Sequence, residues 1–195
     1  MPDINNLAEC KSLIRTIYEQ HNKRRIELGS QTPAAVLVPL FEKNRQVNIL
    51  FAKRTQTVRH HKGQISFPGG ALDPGDRDLS RAALRETEEE IGIRQESVEI
   101  IAELDDMFTP TNFRVTPFAG IIPYPYTYEL NPYETEEIIE IPLMHLLDNR
   151  HHRLGYRRFM NRTIEVHYYD YKDHTVWGVT GHILYELLEK IRAAI

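Results

Sequence analysis

A single cysteine, Cys10, occurs in 195 residues, so an internal disulfide is excluded and so is a thiolate zinc site with paired cysteines. Such sparing cysteine use fits a reducing compartment, and the cytoplasm is the expected location. No apolar run approaches the ~20 residues of a membrane-spanning helix, and the first residues lack the charged-then-apolar order of a secretory signal. Positive charge is in deficit, with 24 Lys and Arg against 28 Asp and Glu and a net charge of −4. That balance argues against a nucleic-acid polymer as partner, because such binding rests on an extended basic surface. Gly-x-Ser-x-Gly is absent, and no thiol stands beside a base, so covalent nucleophilic chemistry has no carrier. The paired histidines His60-His61 and His151-His152 would point to opposite faces of a strand and chelate poorly. Repeats and low-complexity linkers are also missing, and 41% hydrophobic with 27% charged residues describes one globular domain over 1–195.

What the chain does contain is a crowded acidic segment, Arg85-Glu86-Thr87-Glu88-Glu89-Glu90-Ile91-Gly92. On a helix, positions three and four apart are neighbours, so Glu86, Glu89 and Glu90 would share a face and repel one another. Taken alone, such a segment is most often a solvated face. Its flanks change the reading. Upstream, Gln64-Ile65-Ser66-Phe67-Pro68-Gly69-Gly70 is a short apolar run ending in a backbone breaker, and Asp73-Pro74-Gly75-Asp76 signals a turn. Asp76 or Asp78 can cap the helix at its start and Gly92 at its end, while Leu84, Thr87 and Ile91 face a core. Carboxylate-rich, oxygen-only clusters suit hard ions such as Mg²⁺ or Mn²⁺ that meet substrate phosphates. Just before the cluster, Lys53, Arg54, Arg59, His60, His61 and Lys62 form a basic segment in which a phosphate would find cations.

These residues resemble the Nudix hydrolases, whose box reads Gly-x5-Glu-x7-Arg-Glu-U-x-Glu-Glu-x-Gly-U, with U bulky and apolar. Arg85, Glu86, Glu89, Glu90, Gly92 and Ile93 fit its second half. The first half departs: counting back from Arg85 puts Ala71 at the glycine and Arg77 at the glutamate, and one inserted residue restores Gly70 and brings Asp76 to the acidic position. Thr87 occupies an apolar position. The stretch from Arg54 to Gly70 is similar to the signature of the coenzyme A pyrophosphatase branch, Arg-Ser/Thr-x5-His-x-Gly-Gln-x-x-Phe-Pro-Gly-Gly, followed by a box with the same extra residue. Val115-Thr116-Pro117, Glu134 and Val176-Trp177-Gly178-Val179-Thr180 extend the likeness.

The resemblance implies an α/β fold, a Nudix-type α/β/α sandwich with a mixed sheet and the acidic helix against it. It implies Mg²⁺ or Mn²⁺ held by Glu86 and Glu90, with Glu89 and a carbonyl from Gly69-Gly70, assigned to Gly70. Glu89 is a ligand or an acceptor for the attacking water, Arg85 orients the cluster, and Glu134 is the favoured extra ligand or base, with Glu136 and Glu137 as rivals. Arg54, Arg59, His61, Gly63, Gln64, Phe67 and Gly69 are the expected substrate contacts. The implied substrate is a small nucleotide, coenzyme A or a derivative, cut to 3′,5′-ADP and 4′-phosphopantetheine. ADP-ribose or another nucleoside diphosphate derivative is the alternative, and a nucleotide-sensing module without catalysis is a second.

Elsewhere the periodicity predicts an N-terminal amphipathic helix over about 5–28 and a C-terminal helix over about 181–192. Strands are expected at 34–41, 47–53, 98–104 and 114–122, and a hairpin at 153–160 and 163–171 about Asn161-Arg162. The terminal helices and the loop Tyr124-Pro125-Tyr126-Thr127-Tyr128 are candidates for a homodimer contact or a substrate lid.

Overall fold

A computed structural model describes residues 2–27, 29–57, 61–159 and 162–195. In chain order the elements are α1 (Leu7–Gln20), β1 (Thr32–Lys43), β2 (Gln46–Arg54), β3 (Ile65–Ser66), β4 (Gly69–Ala71), α2 (Leu79–Ile91), β5 (Glu99–Glu103), β6 (Met107–Phe108), β7 (Phe113–Ile121), β8 (Thr135–Pro142), α3 (Leu143–Leu147), β9 (His152–Phe159), β10 (Arg162–Tyr171), β11 (His174–Val176) and α4 (Gly178–Ala194).

The long strand β1 organises the main sheet. Its run of apolar residues is buried on both faces, as Ala35, Leu37, Val38, Leu40 and Phe41 show, which is the pattern of a strand covered by a layer on each side. It pairs parallel with β7 from Thr32↔Phe113 to Leu40↔Ile121 and antiparallel with β2 and β4, so the sheet is mixed. The β1–β2 turn places Asn44 and Arg45 at φ 54° and 58°, the left-handed pair a tight hairpin needs. β8 adds to β2 from Asn48↔Pro142 to Arg54↔Thr135.

One apolar cluster joins α2, through Ala82, Ala83 and Ile91, to Ala35, Leu37, Leu50 and Phe118. On the other face, Cys10 and Ile14 of α1 and Leu184, Leu187 and Ile191 of α4 pack with Val38, Ile49, Phe51 and Ile139. The result is an α/β sandwich with helices on both faces of a mixed sheet, as expected. A second sheet of three strands, ordered β11-β10-β9, joins the α4 layer.

Several boundaries differ from the sequence expectation. α1 stops at Gln20, not near 28, because His21 is extended and the following backbone finds better partners: Arg24 N–H donates to Asp105 Oδ1 (2.7 Å) and Ile26 N–H to Asp106 Oδ2 (3.0 Å). The apolar spacing that continues to Ile26 therefore belongs to a strap, not a helix. α4 begins at Gly178, a full turn earlier than 181. The short apolar run before Gly69 forms β3 as its composition suggests, whereas β4, β6 and β11 and the longer β8 carry no alternation strong enough to have been read. The hairpin strands form where expected, but Met160 and Asn161 of its turn lie outside the described residues, as do Arg59 and His60 of the basic segment.

Candidate active site

The acidic segment is helical because both ends are closed. Asp78 accepts from Arg81 N–H at 3.0 Å and from Ser80 Oγ at 2.6 Å, and Gly92 ends the helix in the left-handed region with its N–H on Glu88 O. Thr87, buried at an apolar position, is accommodated because its hydroxyl donates to Ala83 O at 2.7 Å. With Ala82, Ala83, Leu84, Thr87 and Ile91 facing inward, Glu86 and Glu90 turn toward the Gly69-Gly70 strand.

Glu90 is the innermost. Its side chain is only 4% exposed; Oε1 lies 3.4 Å from Arg54 Nη1 and Oε2 lies 3.4 Å from Gly69 N. Both contacts are long, and burial pushes its carboxyl up to about 8 against the pull of Arg54, with Glu86 and Glu134 adding repulsion. Glu86 is raised too, first by burial, with Arg85 opposing and Glu89 and Glu134 reinforcing. Gly70 sits directly against Glu86: a Cβ there would fall 2.5 Å from its carboxylate. Glu89 stands at the rim, exposed, 3.0 Å from Arg85 Nη1.

Arg85 is fully committed within the protein. Its guanidinium reaches Asp76 (3.0 Å), Glu86 (2.9 Å), Glu89 (3.0 Å) and Ala71 O (3.2 Å). Those donors tie the loop after β4 to the acidic helix, and they hold Asp76 below the usual carboxylate range. The extra residue of the box is thereby absorbed in the loop, and Asp76 meets Arg85 in place of the glutamate of the general pattern.

The opposite wall comes from a later segment. Glu129 N–H donates to Ile91 O (3.2 Å) and Asn131 N–H to Glu90 O (3.0 Å), so the 129–134 loop closes the carboxyl end of α2. Thr55 N–H then donates to Glu134 O at 2.9 Å. This is what brings Glu134 close enough to raise both Glu86 and Glu90. Its rivals Glu136 and Glu137 are turned to Lys53 at 3.0 and 3.6 Å.

The other expected contacts divide. Arg54 reaches the site, though its guanidinium lies on Glu90 rather than free for a phosphate. His61, at φ 59°, pairs through Nδ1 with Gln64 Oε1 at 2.8 Å, and Gly63 N–H closes the loop on Thr55 O. Phe67 is not at the site: it is 3% exposed and stacks on Phe51 at 4.9 Å between ring centres, because its position in the core cluster leaves no face for a ligand. Sequence reasoning missed the docking loop and Asn131, whose role rests on backbone donors that leave no side-chain signature.

Among the described residues, no three His, Cys, Asp or Glu side chains form a ready-made metal cage. The arrangement still fits Mg²⁺ or Mn²⁺, which keep waters and need only one or two protein carboxylates. Two crowded, desolvated carboxylates, Glu90 with only long contacts to its donors and Glu86 held from one side by Arg85, lie next to a glycine strand without side chains and form an oxygen-only donor set that suits a hard cation.

Comparison with known proteins agrees with this geometry. The NUDIX domain profile matches residues 31–163. Nudix hydrolase NudL of Klebsiella pneumoniae, itself uncharacterized, is 39% identical over 190 residues, covering 96% of each chain. The chain belongs to the Nudix hydrolase family. The Citrobacter koseri NudL protein, also uncharacterized, is 40% identical over 167 residues, covering 85% of each chain. Among solved structures, the Nudix hydrolase RenU of M. smegmatis superposes with a TM-score of 0.54 over 85% of this chain and 88% of its own, at 16% identity, a likeness of fold. Membership supports pyrophosphohydrolase activity, the hydrolysis of a phosphoanhydride, as the Nudix reaction here.

Proposed function

We propose that this Nudix hydrolase cleaves the phosphoanhydride of coenzyme A or its derivatives, giving 3′,5′-ADP and 4′-phosphopantetheine. The observation that carries this reading is the continuous run from Arg54 to Gly70 joined to a box with one extra residue, whose inserted register Asp76 and Arg85 hold together at 3.0 Å. Glu86 and Glu90 would hold the divalent ions, with a carbonyl of the Gly69-Gly70 strand, assigned to Gly70, as a further oxygen donor. Bound ions of this kind offset charge on the diphosphate and make water acidic enough to attack at neutral pH.

The protein's own residues do the rest. Arg85 keeps Glu86 and Glu89 aimed at the substrate through its fork of hydrogen bonds. Glu134 accepts the proton of the attacking water as its oxygen bonds to phosphorus and the anhydride P–O bond breaks, the charge leaving on the departing phosphate. The basic segment, with His61 and Arg59, meets the remaining phosphates. Replacing Glu134 with Gln should lower turnover by about two orders of magnitude at saturating metal, followed as a pH profile. Unchanged turnover across that profile would assign the base elsewhere.

The substrate is tested by mass spectrometry of products from CoA, an acyl-CoA, ADP-ribose, NADH and 8-oxo-dGTP with Mg²⁺ or Mn²⁺. Release of 3′,5′-ADP from CoA is the expected result. Cleavage of ADP-ribose with CoA intact would overturn the CoA assignment, and inertness toward the whole panel would point to a sensing module.

A further inference from the structure

Two strands of equal length and opposite charge each lack a neighbour. β8, Thr135-Glu136-Glu137-Ile138-Ile139-Glu140-Ile141-Pro142, pairs with β2 alone, and β9, His152-Arg153-Leu154-Gly155-Tyr156-Arg157-Arg158-Phe159, pairs with β10 alone, among the described residues. A bare strand edge is a row of unpaired N–H and C=O groups, a template for another strand. We propose that two copies of this chain associate about a two-fold axis, β9 of each laying its edge along β8 of the other.

The β8 edge is shaped for an extended segment. A cleft of about 360 Å³ runs along it, lined by Glu137, Ile138, Ile139 and Glu140 of the strand, with Tyr128 and Tyr171 among its other walls. Ile138 packs with the α2 cluster and Ile139 with the opposite one, so the cleft follows the strand's rim rather than either face of the sheet. Four successive residues along one rim can pair main chain to main chain, which is β-augmentation.

The β9 edge suits this groove in charge and in apolar surface. β8 carries three glutamates and no base; β9 carries three arginines and no acid. Because side chains alternate, Glu136 and Glu140 share one face of β8 and Glu137 takes the other, while Arg158 and the pair Arg153, Arg157 divide likewise on β9. Opposite charge therefore meets on both faces. The glutamates already touch Lys53, Lys43 and His174 within the chain, but Glu136 and Glu137 remain about half exposed, and a carboxylate accepts several donors. Leu154, Tyr156, Phe159 and Ile164 are exposed on the same hairpin, with Tyr156 at 65%. The β9 end of this sheet leaves that apolar surface open, and a partner strand on the β9 edge would set its own side chains against those of β9 across the pair. Two contacts of eight-residue strands, each about 26 Å long, amount to roughly the 1,000 Å² that a specific interface needs. Under two-fold symmetry the same pairing is made twice.

Charge exchange tests this directly. Sedimentation velocity should show wild type as a dimer that dissociates as salt rises, since the contact is an exposed charge match. R157E/R158E and E136K/E137K should each be monomeric, and an equimolar mixture should restore a dimer, because every strand edge then meets its opposite. Y156D, at an exposed position that the fold does not use, should also be monomeric, and thermal melts confirm that each variant is folded. A monomeric wild type at its highest soluble concentration, or a dimer that persists in Y156D and R157E/R158E, would overturn the proposal. So would a monomer whose β8 amides gain exchange protection only when CoA is added, which would give the groove to the substrate's amide-bearing arm.

Discussion

Glu90→Gln should abolish hydrolysis by several orders of magnitude and, in the metal-free protein, raise the melting temperature at alkaline pH. Both effects come from the same burial. The carboxyl is pushed from 4.5 to about 8 in the folded chain, mainly because its charge would have to be desolvated. In the unfolded chain the group ionises near its ordinary value, whereas the folded one keeps its proton until about pH 8. A raised acid contributes its full stability below the lower value, loses it progressively between the two, and leaves a constant deficit above the upper one. Gln has no proton to lose, so the advantage of the variant should be absent near pH 4, grow up to about pH 8 and then level off, reaching a few kcal/mol. Adding Mg²⁺ should reverse the order, since a cation stabilises the ionised carboxylate that only wild type can offer. Thermal melts across pH with EDTA and with Mg²⁺, beside turnover, check every part. A variant that still turns over, or one that gains nothing at pH 8.5 without metal, would refute the assignment.

The neighbouring glycines should fail in opposite ways. Gly69→Ala places a Cβ 2.3 Å from the Ala35 carbonyl oxygen and 2.6 Å from Val36 Cα, at φ 152°, where a side chain is strained in any case. Those atoms belong to the central strand and cannot yield, so β4 must detach from β1. A loss of about 3 kcal/mol or more is expected, seen as a large fall in melting temperature and in soluble yield. Gly70→Ala meets the Glu86 carboxylate at 2.5 Å, the far end of a flexible side chain. That contact moves at small cost to the fold, but it moves Glu86. Gly70→Ala should therefore melt close to wild type while turnover drops by about a hundredfold and the metal requirement shifts upward. Equal melting losses in the two variants would mean that Gly70 serves the backbone and not the carboxylate.

The acidic helix was legible because its signals are local: Asp78, Gly92 and the spacing of Leu84, Thr87 and Ile91 specify it without reference to any other element. Strands β1, β2, β5 and β7 were legible for the same reason, in runs bounded by polar turns. The strap from His21 to Glu27 was not, because its conformation is dictated by Asp105 and Asp106, some eighty residues away. Arg85 was legible as an orienting group from its carboxylate neighbours, whereas Arg54 on Glu90 and Phe67 in the core depend on how β2 and β3 sit against the sheet. Residue type announced each as a candidate. Only the packing distinguished a side chain facing the site from one behind it.

The docking of Glu129 and Asn131 onto the last carbonyls of α2 sets an order of assembly. The segment bearing the acidic box is complete at residue 93, yet the loop whose N–H groups take up the last carbonyls of its helix is synthesised about forty residues later. A nascent chain stopped between them holds every carboxylate of the box with an unfinished wall around it. The wall that faces Glu86 and Glu90 is therefore complete only once Asn131 and Glu134 have settled against the helix.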